Sequence, residues 1–200
     1  MSPVVLPFHL SVATEAERVV VACRNEYFYD KTTRVLRVKP NASMAWPPKM
    51  LVATKLQTLI KLEGTQEAPV RDVSFQGIGF RDAAYTYLER WGVPSGGDWA
   101  LYHGAALHIH GAVGTAVEGC DFQRLDNNAI ILTGFTRNVS IVNNTARWLG
   151  MNFAAGWGDT DGVDATAGNQ PRHTTLAGNL IGELGIWEKQ SSFWFQAKSW

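Results

Sequence analysis

Val117-Glu118-Gly119-Cys120-Asp121-Phe122 is one of four stretches that share a single pattern: apolar, variable, Gly or Asn, variable, variable, apolar. The others are Phe75-Gln76-Gly77-Ile78-Gly79-Phe80, Ile141-Val142-Asn143-Asn144-Thr145-Ala146 and Leu176-Ala177-Gly178-Asn179-Leu180-Ile181. The third position carries the information. A strand that turns a corner after two or three residues needs a residue tolerant of positive φ, and Gly and Asn supply it at the least cost. The four starts, at 75, 117, 141 and 176, are spaced 42, 24 and 35 residues apart. The shortest spacing gives the basic coil of a solenoid, about 24 residues, and the excess in the other two is loop.

Loops are expected at those places on independent grounds. Tyr85 to His103 contains Val93-Pro94-Ser95-Gly96-Gly97-Asp98, and Gly158 to Arg172 contains Asp159-Thr160-Asp161-Gly162 and Gln170-Pro171. A second strand keeps the same period, since Ala129-Ile130-Ile131-Leu132-Thr133-Gly134 stands 24 residues before Phe153-Ala154-Ala155-Gly156-Trp157-Gly158. The spacing predicts an all-β chain: a right-handed parallel β-helix over 65–200, with loop insertions near 85–103 and 158–172. Residues 1–64 form a β-rich lead-in, in which Arg34-Val35-Leu36-Arg37-Val38 alternates as a half-buried strand does. An antiparallel sandwich accounts for the short strands but not for a corner repeated at matching spacing. Beyond the strand-like Phe193-Trp194-Phe195-Gln196-Ala197 no polar cap follows, which predicts a solenoid truncated at its C-terminus, its last coil open to self-association.

The composition narrows the class further. Hydrophobic residues make up 46% of the 200, and 18 basic side chains cancel 18 acidic ones. That profile is not one of disorder, and without a Lys/Arg cluster nucleic acid is not an expected partner. No run approaches the ~20 apolar residues of a membrane span. Cys23 and Cys120 lack the paired spacing of a metal or redox motif and read as small buried hydrophobes. Met1 to Ala13 has no basic start and is broken by Pro3, Pro7 and His9, a poor signal peptide. The sequons at Asn41, Asn138 and Asn143 nonetheless favour an extracellular or secretory-pathway location, with those three as glycosylation acceptors.

Several stretches resemble an uncharacterised right-handed β-helix family, itself similar to the pectate lyase-like superfamily and to β-helical glycoside hydrolases. They are Glu26-Tyr27-Phe28-Tyr29-Asp30 leading to Val35-Leu36, Thr58-Leu59-Ile60-Lys61-Leu62-Glu63-Gly64, Val93-Pro94-Ser95-Gly96-Gly97-Asp98-Trp99 and Trp187-Glu188-Lys189-Gln190-Ser191-Ser192. The likeness covers roughly residues 25 to 200, and most of its motifs are structural. It implies an extracellular carbohydrate-active protein acting on a polysaccharide, by hydrolysis rather than elimination. The alternative is a non-catalytic glycan-binding or structural module, because fold alone does not fix function.

Carried onto the strand stack, the 24-residue period makes Leu107 equivalent to Ile131 and Ala155. His108 then neighbours Leu132 and Gly156, and His110 neighbours Gly134 and Gly158. Alternation puts both histidines on the face away from Leu107 and Ile109. Aligning Phe153 with Phe193 adds Gln196 and Lys198 to the same columns. This face is the candidate groove for an extended polymer, with Trp99 and Trp157 as the exposed aromatics for sugar stacking. It is equally a face that is polar because it is wet.

Glycoside hydrolysis needs two carboxyls, about 5–5.5 Å apart for retention or about 6.5–9.5 Å for inversion. Asp126, Asp159, Asp161 and Glu188 flank the proposed face and are the catalytic candidates. An elimination would use a base such as Lys198 or Arg172, but no basic ridge is present for a polyanion. His108 and His110 have the spacing of metal ligands without a third partner, so no metal is assigned. Asp159, Asp161 and Asp164 resemble a calcium loop but lack its spacing and terminal Glu, and an Asx-rich turn is the preferred reading. No cofactor is expected, calcium being the one ion this loop would admit.

Overall fold

The computed structural model describes residues 9–12, 26–30, 32–39, 52, 54–86, 101–160 and 163–198. The chain divides into two compact units, Met1–Leu51 and Val52–Trp200. All regular structure among the described residues is strand. No helix among them is long and apolar enough to cross a membrane.

In the first unit β3 (Val35–Lys39) lies between β1 (His9–Val12), parallel to it, and β2 (Glu26–Asp30), antiparallel. Asp30 fastens the β2–β3 turn by accepting the Thr32 and Thr33 amides at 2.8 and 3.1 Å.

Among its described residues the second unit contains three sheets in which every pairing is parallel. One short sheet holds β6 (Ser74–Gln76), β9 (Ala116–Glu118), β12 (Ser140–Val142) and β15 (Thr175–Ala177). The other holds β7 (Gly79–Arg81), β10 (Asp121–Leu125), β13 (Thr145–Leu149) and β16 (Leu180–Gly182). The long sheet runs β4 (Ile60–Glu63), β8 (Ala105–Val113), β11 (Asn128–Arg137), β14 (Ala154–Trp157), β17 (Trp194–Ala197), with β5 (Val70–Arg71) also on β8. The chain visits long, first short and second short sheet in that order, coil after coil. This arrangement is compatible with a β-helix.

The sequence repeat is the register of the first short sheet. Phe75, Val117, Ile141 and Leu176 are direct cross-strand neighbours, so the spacings of 42, 24 and 35 residues are real coil lengths. Gly77, Gly119, Asn143 and Gly178, the third positions, all have left-handed φ, between 55° and 64°. The same spacings recur in two columns that the motif did not reveal: Asp72, Gly114, Asn138, His173 and Asp82, Arg124, Trp148, Glu183, all left-handed. Each coil thus turns at three left-handed residues five apart. The sequons at Asn138 and Asn143 fall on exposed corner positions, where the fold itself favours Asn. The αL cost at Arg124 is offset by two bonds to Asp82, the same corner one coil earlier, at 2.7 and 2.9 Å.

Identical side chains stack between coils. Asn144 accepts the Cys120 amide at 2.9 Å and donates to the Val117 carbonyl and to Asn179 Oδ1, satisfying the buried corner. Asn152 donates to Asn128 Oδ1 at 2.8 Å and accepts the Ser192 amide at 2.7 Å, doing the same at the entry to the long sheet. Phe80 stacks on Phe122 with ring centroids 4.7 Å apart, and Phe153 on Phe193 at 5.6 Å. With Leu107, Ile109, Val117, Ile130, Leu132 and Ile141, the rings of Phe80, Phe122 and Phe153 form the core between the three sheets, while Phe193 is exposed. Cys120 is buried there as expected, while Cys23 lies outside the described residues.

The long sheet corrects two expectations. Ile60–Glu63, counted with the lead-in, pairs with β8 as a strand of this sheet. Secondly, Leu107 pairs with Ile130, not Ile131, because a register shift lies between Thr133 and Thr136 of β11. The coil measures 23 residues before this bulge and 24 after it. His108 therefore shares its row with Ile131 and Ala155, and His110 with Thr133 and Trp157, not with Leu132, Gly156, Gly134 and Gly158. The alternation holds: Leu107 and Ile109 are in the core and the histidines are on the opposite face. The 40-residue step stands, with Ala154 beside Trp194 and Gly156 beside Gln196. The corrected columns put Gln196 with Gly156, Leu132 and Ile109, the parity of the core side, where it accepts the Trp194 indole N–H at 3.1 Å. It does not join the histidines.

Candidate functional site

The outer face of the long sheet has two halves. Over the first half Leu101 packs with Ala105, Ile131, Met151 and Ala155 in a second apolar cluster, flanked by Tyr102, Trp157 and Phe195. The Tyr102 hydroxyl is fixed there by Gln57 at 3.1 Å. Across the second half runs a row of direct cross-strand neighbours, Glu63, His110, Thr133 and Trp157.

Thr133 binds the two histidines together. His108 Nε2 lies 2.7 Å and His110 Nδ1 2.9 Å from Thr133 Oγ1, with the rings edge to face. The His110 ring lies over Gly134, where a Cβ would meet its Cε1 at 2.7 Å. Loss of hydration, with Lys61 and His110 adding repulsion against the opposing pull of Glu63, lowers the His108 pKa to about 4. The imidazole is therefore neutral at pH 7. Lys61 and Glu63, opposite His108 and His110 on β4, pair with each other at 2.8 Å, and this lowers the Glu63 pKa.

Beside this row His103 tilts on Trp157 with centroids 4.2 Å apart, and loss of hydration together with Lys198 lowers its pKa against the pull of Asp159. Asp159 Oδ2 accepts from Asn169 Nδ2 at 3.1 Å, and the Asn169 amide oxygen stands next to Gly134. The loop is held in place by Arg137, whose guanidinium donates to the carbonyls of Thr136, Gly168 and Gln170 while lying 4.1 Å from the Phe135 ring.

The predicted site residues are thus distributed unevenly. His108, His110 and Trp157 share the face, with Asp159 and Lys198 at its margin. Asp126 precedes β11 and accepts the Thr86 amide and hydroxyl at 2.6 and 3.1 Å. Glu188 precedes β17 and accepts the Gln190 amide at 3.2 Å. These two lie at the entry end of the strands and Asp159 at the exit end, on the order of 15–20 Å apart at about 3.3 Å per strand residue. That is too far for the paired carboxyls of a glycosidase. Asp161, Trp99 and Asn41 lie outside the described residues.

Among the described tryptophans, Trp148 and Trp187 are the exposed ones, 47% and 46%, whereas Trp157 is half-buried against the second apolar cluster. Asp164 forms the expected Asx turn with the Thr166 amide at 2.8 Å, and the Thr166 bonds lower its pKa. Among the described residues no group of three or more His, Cys, Asp or Glu is placed to hold a metal ion. The alignment missed Thr133, His103, Asn169 and the Lys61–Glu63 pair. Gly111 and Gly134, 23 residues apart and both left-handed, were the sequence signal for the true register. The chain matches no family model, no curated protein and no solved structure.

Proposed function

We propose that the chain is a right-handed parallel β-helix, resembling the pectate lyase-like and β-helical glycoside hydrolase families, that binds polysaccharide outside the cell. The observation that supports this most is the row Glu63, His110, Thr133, Trp157, one outward side chain per coil at the strand spacing of about 4.8 Å. A chain of sugars lying across the strands meets a polar or aromatic group at each step. Asn138 and Asn143, the glycosylation acceptors of this reading, sit on exposed corner positions.

A glycan array probed with the purified chain, followed by reducing-end release from any hit, tests the reading. Binding without release supports a glycan-binding module, and no binding overturns the reading. A hydrolytic version rests on Asp159, which reaches the margin of the row through Asn169, together with Asp161 of the same loop. Release of reducing ends, abolished by Asp159→Asn, is the outcome that favours it.

A further inference from the structure

We infer that His108, Thr133 and His110 form a subsite for the hydroxyl groups of neutral sugars; the inference rests on the polysaccharide reading and specifies the class of polymer. A hydroxyl has one proton and two lone pairs, so Thr133 Oγ1 donates to at most one of the two imidazole nitrogens and accepts from whichever carries N–H, the roles set by the tautomers. His108 Nδ1 and His110 Nε2 lie outside this bridge. Where Thr133 donates to one ring and accepts from the other, one of these outer nitrogens is a donor and the other an acceptor, and a change of tautomer at both rings together with the Thr133 rotor exchanges them. Such a trio offers a donor and an acceptor side by side, the combination that a sugar hydroxyl also presents.

The surroundings decide against an acidic polymer. Lys61 and Glu63 stand opposite His108 and His110 and cancel each other at 2.8 Å. Lys198 and Asp159 act on His103 with opposite sign. A polyuronate presents a carboxylate on every residue, and among the described residues this face has no surplus cation to meet it. Gly134 makes room for the His110 imidazole, which a Cβ there would meet at 2.7 Å, and so lets the ring lie beside Thr133.

The test is affinity electrophoresis of the whole chain in gels containing xylan, glucomannan, a mixed-linkage β-glucan or polygalacturonate, at about 0.05 and 0.5 M NaCl. Retention by a neutral polymer, changed less than about twofold by salt, is expected, because screening acts only on charge pairing. Thr133→Val is expected to weaken it about tenfold, the value of one to two hydrogen bonds, and Thr133→Ser to restore it, with thermal melts showing both variants folded. Preference for polygalacturonate that fades with salt overturns the neutral class and leaves the polysaccharide reading standing. Retention unaffected by Thr133→Val in a folded variant overturns the subsite, and retention by no polymer overturns both.

Discussion

The two short sheets and the long sheet are built from the same coils but obey their period differently. At the corners beside the short sheets, left-handed residues recur at 42, 24 and 35 without exception across three columns. In the long sheet β11 carries one residue more than β8 between Thr133 and Thr136, and the 24-residue coil measures 23 for the six residues that carry the candidate site. A corner is a steric requirement and marks the sequence. A bulge is a local surplus that shows only in what faces what.

The contrast is broken most severely at Gly111. A methyl there would overlap the Gly64 carbonyl, and φ is 59°. Backbone must move as well as strain, so Gly111→Ala is expected to cost about 4 kcal/mol by urea denaturation. A loss near 1 kcal/mol would show that the two coils are not in contact at this point.

Next in size is the pH response of His108. Its pKa falls from 6.5 unfolded to about 4 folded, so the unfolded chain binds the extra proton first. Stability is full above pH 6.5 and is lost as pH falls toward 4, by at most about 3 kcal/mol, since the ring is not fully buried. Chemical denaturation at pH 7 and 4.5, with His108→Gln as the reference, isolates this contribution. A variant as acid-sensitive as the parent would assign the effect to other groups.

These cases mark what the sequence could and could not convey. The corner motif located the short-sheet register residue for residue, from Phe75 through Val117 and Ile141 to Leu176, because only Gly and Asn enter αL cheaply. It missed the columns headed by Asp72 and Asp82, because Arg124, Trp148, His173 and Glu183 adopt αL without being Gly or Asn, Arg124 with two bonds to Asp82. On the long sheet the face of the histidines was legible from alternation, but not their neighbours: a slip of one residue exchanged Thr133 for Gly134. Asp126 and Glu188, chosen because they flank the strand face in adjacent coils, each accept a backbone amide at the entry end of the strands.

A third test sharpens the short-sheet side of the comparison. Asn144 supports Cys120 and Val117 of the preceding coil and meets Asn179 of the next, so Asn144→Ala leaves a buried Cys120 amide without its acceptor. The expected loss is about 2 kcal/mol, with faster hydrogen exchange at Cys120 than at Ile109 of the long sheet. Equal acceleration at both would mean that the sheets open as one unit rather than corner by corner.

The smallest effect is expected at Gly119, and it separates strain from crowding. Its φ of 60° matches that of Gly111, yet a Cβ built there meets nothing within 4 Å. Gly119→Ala therefore incurs the left-handed penalty alone, about 1 kcal/mol, and Gly119→Asn less, since the equivalent corner one coil later already carries Asn143. Thermal melts of the two variants beside Gly111→Ala measure how much of the difference between the sheets is packing. If Ala cost as much at 119 as at 111, the left-handed corner rather than the approach of neighbouring coils would set the stability of both.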